Sequence, residues 1–230
     1  MHFEYLEQLV QLSDLQKNQL DSYYKILFEM SKVINLTTII EEEEVYIKHF
    51  YDSILCLNQV ENKENVRLLD IGSGAGFPGI VLKIIYSNMD ITLLEPTKKR
   101  CDFLQKVIDN LGLKKIEVVN ERAEIYIKNK RESYDIVTAR AVASLEILSE
   151  LALPFVKKSG YFIAMKGQNY QEEIEKSGHA IDVLGGKIHN IYGYELPKNS
   201  GNRNIVMIKK VKNTPNIYPR IFAKIKKNPL

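Results

Sequence analysis

The sequence predicts an α/β fold in which helices cover a mostly parallel sheet and a C-terminal antiparallel hairpin completes that sheet. From Val66 onward, short apolar runs alternate with longer amphipathic stretches, as in parallel sheets with covering helices. Residues 1–62 instead keep a helical period, and two strand-like runs near the C-terminus have no helix between them.

The N-terminal part, residues 1–62, is predicted to be a helical extension packed on the core. The spacing of a capping box occurs twice, at Ser13 with Gln16 and at Thr38 with Glu41. Helices are therefore expected to begin near Asp14 and Ile39. Residues 63–230 are predicted to form the sheet domain, and they include a basic C-terminal segment, 196–230.

The sheet domain divides into predicted strands and helices in alternation. Strands are predicted over 66–71, 90–95, 116–120, 134–139 and 160–165. Helices are predicted over 78–87, 97–111, 122–129, 144–157 and 170–184. The runs 187–196 and 202–211, joined by the loop PKNSG, predict the closing hairpin.

Charge is distributed unevenly along the chain. The segment 196–230 has nine basic side chains and no acidic one, whereas the first 195 residues hold 23 basic and 29 acidic side chains, a net charge of −6. A positive segment on a negative body is typical of a protein that binds a polyanion. The alternative is that the segment only keeps the protein soluble.

Several features bear on compartment and cofactors. The first residues, MHFEYLEQLVQLSDL, lack the pattern of a basic leader followed by an apolar region, and no apolar run reaches the roughly 20 residues that a membrane span needs. We therefore expect a soluble, cytoplasmic protein. Cys56 and Cys101 lie far apart without a CxxC partner, as reduced thiols usually do. The four histidines lack metal-ligand spacing, so no metal is expected. We expect a monomer.

The stretch LLDIGSGAGFPGI, residues 68–80, predicts a nucleotide-binding turn after the first strand. A GxGxxG pattern is present at Gly74, Gly76 and Gly79. Asp70 would face a pyrophosphate unfavourably, and Pro78 removes an N–H that a phosphate would need. The C-terminal hairpin is also atypical of a dinucleotide-binding fold. These details favour adenosine that carries a cationic sulfonium and an amino acid.

Read as Asp-x-Gly-x-Gly-x-Gly, the same stretch resembles the first motif of class I S-adenosylmethionine-dependent methyltransferases. The matching positions are Asp70, Gly72, Gly74 and Gly76. Glu95 ends the second strand, where a pair of acceptors can take both ribose hydroxyls; the alternative is an acid at a helix N-terminus. Ala123 and Glu124 follow the third strand, where such enzymes hold the adenine, although Glu124 could instead be a solvated helix residue.

The resemblance extends over almost the whole chain. The strings are NLTTI (35–39), HFYDSI (49–54), DIGSGAGFPGI (70–80), RAE (122–124), DIVTARAVASLEIL (135–148), KG (166–167), RN (203–204) and KNTPNIYPR (212–220). They are similar to strings of the ribosomal RNA small-subunit methyltransferase G family, also called glucose-inhibited division protein B. This resemblance implies a Rossmann-like methyltransferase that modifies N7 of one guanine in 16S ribosomal RNA, with free RNA, an assembly intermediate and the small ribosomal subunit all open as substrates.

The resemblance also implies site residues. The cofactor contacts carried over are Gly72, Phe77, Ala123, Glu124 and Arg140, with Asp70, Ser73, Gly74, Gly76 and Glu95 around them. The candidate RNA contacts are Lys166, Arg203, Lys212, Arg220, Lys224, Lys226 and Lys227. After Arg220 the chain continues Ile-Phe-Ala-Lys-Ile-Lys-Lys, where the family tends to have a glycine-containing turn, so the path of the last ten residues is left open.

Guanine N7 has an in-plane lone pair and needs no proton removed, so no general base is expected. Arg140, at the end of the fourth strand, is the candidate for positioning donor or acceptor, by pairing with the methionine carboxylate or an RNA phosphate; the alternative is a surface ion pair. His49, Asp52 and Ser53 either cover the cofactor or the target base, or fix the helical segment to the core. Phe77, Tyr192, Tyr194 and Tyr218 either stack on bases or pack in the core.

Three other functions stay open at this point. They are a methyltransferase for a small molecule or protein, a non-catalytic RNA-binding or ribosome-assembly protein, and an NAD-dependent dehydrogenase. The basic segment argues against the first, and the intact glycine loop argues against the second.

Overall fold

The computed structural model describes all 230 residues and contains one seven-stranded sheet. The strands are β1 (Arg67–Ile71), β2 (Asp90–Leu94), β3 (Ile116–Val119), β4 (Tyr134–Arg140), β5 (Val156–Lys166), β6 (Gly186–Glu195) and β7 (Asn202–Lys210). Their order is β3-β2-β1-β4-β5-β7-β6; the first five are parallel, and β7 runs antiparallel between β5 and β6. The parallel sheet and its closing hairpin are confirmed.

Helices precede the sheet, connect its strands and end the chain. Before the sheet lie α1 (Phe3–Leu6), α2 (Asp14–Ser31), α3 (Glu42–Val45) and α4 (Asp52–Leu55), and a π-helical turn (Tyr46–Tyr51) joins α3 to α4. After β1 to β5 come, in turn, α5 (Gly79–Ile85), α6 (Lys98–Leu111), α7 (Ala123–Tyr126), α8 (Leu145–Ala152) and α9 (Tyr170–Val183). The last helix is α10 (Phe222–Lys227). No helix combines the length and apolarity required to cross a bilayer.

Successive residues of the central strands point to opposite faces of the sheet, and each face has its own core. Leu68 packs in a cluster with Leu20 and Leu27 of α2, whereas Leu69 packs in a second cluster with Leu148 of α8. The N-terminal helices thus bury their apolar side against the same sheet face as α5 and α6. The boundary at residue 62 stays a prediction.

The two predicted capping boxes have different outcomes. Ser13 and Gln16 form both reciprocal hydrogen bonds, so α2 begins at the predicted residue. The helix predicted near Ile39 begins only at Glu42, and that prediction was wrong. The side chain of Glu41 caps it by accepting from the backbone of the residues two and three positions further on.

The predicted helix 144–157 was too long, and the strand predicted over 160–165 was too short. Pro154 has no backbone N–H, so it cannot donate the hydrogen bond that would continue the helix. The α-helix therefore ends at Ala152, a 3₁₀ turn covers Leu153–Phe155, and β5 begins at Val156.

The basic C-terminal segment is anchored through Arg220. Its guanidinium donates to both carboxylate oxygens of Glu150 on α8, at 2.9 and 2.6 Å, and its backbone N–H donates to the same carboxylate. Glu150 is fully buried, and Ile225 of α10 is buried with it in the second core. Arg220, predicted as an RNA contact, therefore has its guanidinium committed to an internal ion pair, because a buried carboxylate requires a partner.

Arg220→Ala is expected to lower the free energy of unfolding by about 3 kcal/mol, because it leaves the buried Glu150 carboxyl with a backbone donor but no cation. Denaturant unfolding followed by circular dichroism would measure the loss. Lys224→Ala is the matched control, since Lys224 is exposed and forms no ion pair. Equal stability of the two variants would contradict the anchoring role.

Candidate active site

The glycine loop between β1 and α5 has a backbone that only glycine adopts easily. Gly72, Gly74 and Gly76 have φ values of 70°, 57° and 97°. A Cβ at Gly72 would lie 2.6 Å from Cγ2 of Val142, whereas a Cβ at Gly74 would meet no protein atom closer than 3.8 Å. The loop is therefore packed by protein at Gly72 and open to an approaching ligand at Gly74.

Two buried polar side chains hold this loop on β1. One carboxylate oxygen of Asp70 accepts from the Gly79 N–H at 3.1 Å, and the other accepts from the Thr138 hydroxyl at 3.3 Å. Burial raises the pKa of Asp70 to about 6, although these donors oppose the shift. Ser73 is also buried, and its hydroxyl donates to the Asp70 carbonyl at 2.9 Å. Both residues order the loop.

Glu95 stands beside the open part of the loop, after the end of β2. Its carboxylate accepts from the Gly74 N–H at 3.0 Å through one oxygen and from the Thr97 N–H at 2.8 Å through the other. Each oxygen of an ionised carboxylate has a second acceptor position. The chemistry of this site therefore fits a ligand with two neighbouring hydroxyls, such as a ribose.

Ala123 and Glu124 begin α7 at the same edge of the sheet. Asn120, just after β3, donates to the backbone carbonyl of Glu95 at 3.0 Å and so joins the ends of β2 and β3. Ala123 is buried and Glu124 is half-buried. The structure thus brings the residues predicted to hold the adenine next to the residue predicted to hold the ribose.

Arg140 ends β4 and is held by the N-terminal helices. Its guanidinium donates to the Asp52 carboxylate at 3.0 Å, to the Lys48 carbonyl at 3.2 Å and to the ring of His49 at 3.2 Å. Asp52 in turn accepts from the Tyr194 hydroxyl at 2.7 Å. Of the roles considered for His49 and Asp52, these contacts match the fixing of the helical segment to the core. Arg140 forms a largely buried ion pair rather than a surface one.

Phe77 packs inside this cluster. Its ring lies 4.5 Å from that of His49, centroid to centroid, and the Arg140 guanidinium lies 5.0 Å from its centroid. Burial and the nearby Arg140 charge lower the pKa of His49 to about 3. Nδ1 of the neutral imidazole lies 3.2 Å from the Arg140 guanidinium and 3.1 Å from the Lys48 carbonyl, and Nε2 lies 3.0 Å from the Thr37 hydroxyl.

A cavity of about 430 Å³ lies beside Arg140, beyond the ends of β4 and β5. Its polar walls carry four cations and two carboxylates: Lys48, Arg140, Lys166, Arg203, Asp52 and Glu173. Lys166 is buried and donates to the Ala143 carbonyl at 2.8 Å and to Glu173 at 2.7 Å. Of the predicted RNA contacts, the structure brings only Lys166 and Arg203 to this cavity.

The other predicted RNA contacts lie elsewhere on the surface. Lys224, Lys226 and Lys227 are exposed on α10 and form no ion pair, and Lys212 lies 3.6 Å from Asp182. Lys210, also in the basic segment, is buried and donates to the Leu153 carbonyl and the Thr214 hydroxyl. The positive charge of the segment is therefore partly internal.

Sequence reasoning missed the partners that complete the site. Tyr194 was considered only for stacking on bases or for core packing, yet its hydroxyl contacts Asp52. Nothing in the sequence distinguishes Glu173 from Glu172 or Glu175. The structure contains no group of three or more side chains placed to hold a metal ion.

Comparison with known proteins gives a consistent result. The family model described as rRNA small subunit methyltransferase G matches residues 16–206. Proteins named ribosomal RNA small subunit methyltransferase G from Staphylococcus epidermidis and Bacillus subtilis are 47% and 44% identical to this chain. Each comparison covers 97% of this chain, with 94% and 95% of the respective relative.

Solved structures share the fold at low sequence identity. A SAM-dependent methyltransferase from Aquifex aeolicus has a TM-score of 0.56 at 18% identity, covering 74% of this chain and 94% of that one. A SAM-dependent O-methyltransferase from Thermotoga maritima has a TM-score of 0.58 at 13% identity, covering 83% and 73%. These matches support the class I S-adenosylmethionine-dependent methyltransferase fold.

His49 is expected to stay neutral well below the usual pKa of histidine. Since its folded pKa is about 3 and its unfolded pKa about 6.5, the unfolded chain takes up the extra proton, and stability falls as the pH drops below 6.5. This loss reaches about 2 kcal/mol at pH 5. Asp70 acts in the opposite direction, because its raised pKa favours the folded state on acidification between about pH 6 and 3.8.

A comparison of wild type with His49→Gln isolates the histidine. From pH 7.5 to pH 5 the wild type should lose about 2 kcal/mol of unfolding free energy relative to the variant, since Asp70 contributes equally to both. Denaturant unfolding at the two pH values gives this difference, and NMR titration of the imidazole checks it directly. An imidazole that titrates near pH 6.5 would show the assignment to be wrong.

Proposed function

The chain belongs to the rRNA small subunit methyltransferase G family, and we propose that it methylates N7 of one guanine in 16S ribosomal RNA at the carboxyl edge of β1, β2, β4 and β5. S-adenosylmethionine is the methyl donor. One observation supports this site above the others. The glycine loop with Glu95 lies on one side of the end of β1 and the cation-lined cavity on the other, at the switch point where α/β sheets bind ligands.

The cofactor residues of the proposal are those at the carboxyl ends of β1, β2 and β3. Glu95 would accept from the ribose hydroxyls, the backbone at Gly74 would approach the ligand closely, and Ala123 with Glu124 would flank the adenine. Asp70, Gly72, Ser73 and Gly76 would hold the loop in shape, and Phe77 with Arg140 would close its inner side. When bound, the cofactor supplies an electrophilic methyl group on a sulfonium.

The protein's part in the reaction is orientation and exclusion of water. The guanine N7 lone pair attacks without loss of a proton, and the surroundings suit such a step. Asp52 has both oxygens engaged, by Arg140 and Tyr194, and His49 has both ring nitrogens engaged. Arg140 is proposed as a positioning residue, because it fixes the helices that form one wall of the cavity.

For RNA we propose two sets of contacts. Lys224, Lys226, Lys227 and Lys212 would contact phosphates and give salt-dependent affinity. Lys166 and Arg203 would face the acceptor nucleotide, which must leave its stack to enter the cavity.

The ribosomal substrate supports a cytoplasmic location. The proposal also includes a monomeric enzyme, and light scattering would check its molecular mass in solution.

The first test is transfer of labelled methyl from S-adenosylmethionine to small ribosomal subunits that lack the modification. Nucleoside analysis should recover the label as 7-methylguanosine at a single site. Label in another nucleoside would contradict the assigned atom. No label in subunits or precursor RNA, despite tight cofactor binding, would favour another acceptor or a non-catalytic role in ribosome assembly.

The second test concerns the glycine loop. Gly74→Ala should weaken S-adenosylmethionine binding about tenfold or more, because the added methyl occupies space that a ligand would enter. Gly112→Ala is the matched control: Gly112 has a similar φ of 63° and no neighbour within 4 Å. Both variants should lose about 1 kcal/mol of stability from backbone strain. Equal affinities by calorimetry would exclude the loop as the binding site.

A further inference from the structure

Glu173, on α9, has a carboxylate oxygen that faces no protein donor. Its Oε2 accepts from the Leu145 N–H at 2.6 Å and from Lys166 Nζ at 2.7 Å. Its Oε1 forms no hydrogen bond in the structure, and the side chain is 28% exposed. Two contacts therefore fix the carboxylate and leave one oxygen available to a ligand.

The other carboxylate of the cavity cannot take this role. Both oxygens of Asp52 are engaged, one by Arg140 and the other by Tyr194, and its side chain is 3% exposed. The remaining polar groups of the cavity wall are chiefly cations. Glu173, which lines this cavity and a neighbouring one, is thus the carboxylate with a free oxygen in a wall that is otherwise rich in donors.

Lys166 adds a donor next to this acceptor. An ammonium group has three N–H donors. Two of them are used by the Ala143 carbonyl and Glu173, which leaves one available. The pair therefore presents one donor and one acceptor side by side, both fixed by contacts within the protein.

That arrangement matches guanine. Starting from N7 and passing along the base, guanine presents the O6 acceptor, then the N1–H donor, then the N2 amino donor. At the same positions adenine presents its N6 amino donor and then its N1 acceptor. In the same orientation it would place a donor against the Lys166 ammonium and an acceptor against the Glu173 carboxylate, so neither hydrogen bond could form. Enzymes that take a base out of its stack commonly recognise it by this Watson–Crick edge.

We propose that Glu173 recognises the acceptor guanine by accepting from its N1–H and N2 amino groups, while Lys166 donates to O6. The inference rests on the proposed function, since it assigns the base that enters the cavity. Methylation at N7 makes the base cationic, and the Glu173 carboxylate offsets the positive charge of the Lys166 ammonium beside it. Glu173 then serves specificity and rate together.

The variant Glu173→Gln tests this role, because the Leu145 N–H and the Lys166 ammonium already fix one oxygen of the side chain, Oε2. The amide oxygen should keep the contacts to Leu145 and Lys166, which turns the NH₂ group towards the guanine donors. The measurement is kcat/KM for RNA whose target nucleotide is guanosine or inosine, which lacks the N2 amino group. The position of the target is first mapped with the wild-type enzyme.

The expected results are specific. The wild type should prefer guanosine over inosine by about tenfold or more, the usual effect of one hydrogen bond to a charged group. Glu173→Gln should lose about tenfold or more on guanosine and lose most of the preference. Glu175→Gln removes the same charge from an exposed position of the same helix and should behave as the wild type.

Two results would overturn the proposal. One is equal kcat/KM of the wild-type enzyme for guanosine and inosine targets. This measurement does not depend on the folding of any variant. The other is a slow Glu173→Gln that keeps the wild-type preference, as expected if Glu173 only caps α8. Unchanged cofactor affinity and thermal unfolding verify that the variant is folded. Absence of 7-methylguanosine with the wild type would instead refute the proposed function itself.

Discussion

The parallel register of β1 with β2 and β4 determines where the chemistry of this protein can take place. Ile71 pairs with Leu94 on one side and with Ala139 on the other, so three strands end at the same level. The residues that follow these ends are the glycine loop, Glu95 and Arg140. Side chains distant in sequence therefore meet at one edge because hydrogen-bonded strands cannot shift without moving their buried residues to the wrong position.

The buried pair of Arg140 and Asp52 adds a second constraint. Removing two charges from water is costly, and the cost is offset only when the remaining donors and acceptors are also satisfied. Here Tyr194 donates to Asp52, the Lys48 carbonyl accepts from Arg140, and the neutral His49 ring lies 3.2 Å from the same guanidinium. The residues of this network belong to β4, β6 and the N-terminal helices. The network therefore holds the helices in one orientation over the sheet edge.

Local signals in the sequence were sufficient for much of the fold. The alternation of apolar runs predicts the strands, the Ser13 and Gln16 spacing predicts the start of α2, and two adjacent strand-like runs predict the hairpin. The errors arose where a competing local interaction prevailed. Glu41 outcompeted Thr38 as a cap, and Pro154 ended a helix that apolar periodicity extended too far.

The site was predictable only as far as its residues lie in sequence motifs. The glycine loop, Glu95 and Arg140 follow strand ends and were found for that reason. The pairings of Arg220 with Glu150 and of Tyr194 with Asp52 join residues 70 and 142 positions apart, and no local pattern encodes them. Glu173 is one of three glutamates within four residues, and only tertiary structure separates it from the others.

The charges around the cavity indicate how a cationic pocket can favour a reaction whose product is a cation. Within the pocket, Asp52 is neutralised by Arg140, and His49 stays uncharged because burial and Arg140 oppose its protonation. Glu173 is also paired, with Lys166 at 2.7 Å, but its Oε1 forms no hydrogen bond within the protein and can lie against the new charge on the purine. Its two fixed contacts spare it the reorganisation that a mobile group would require.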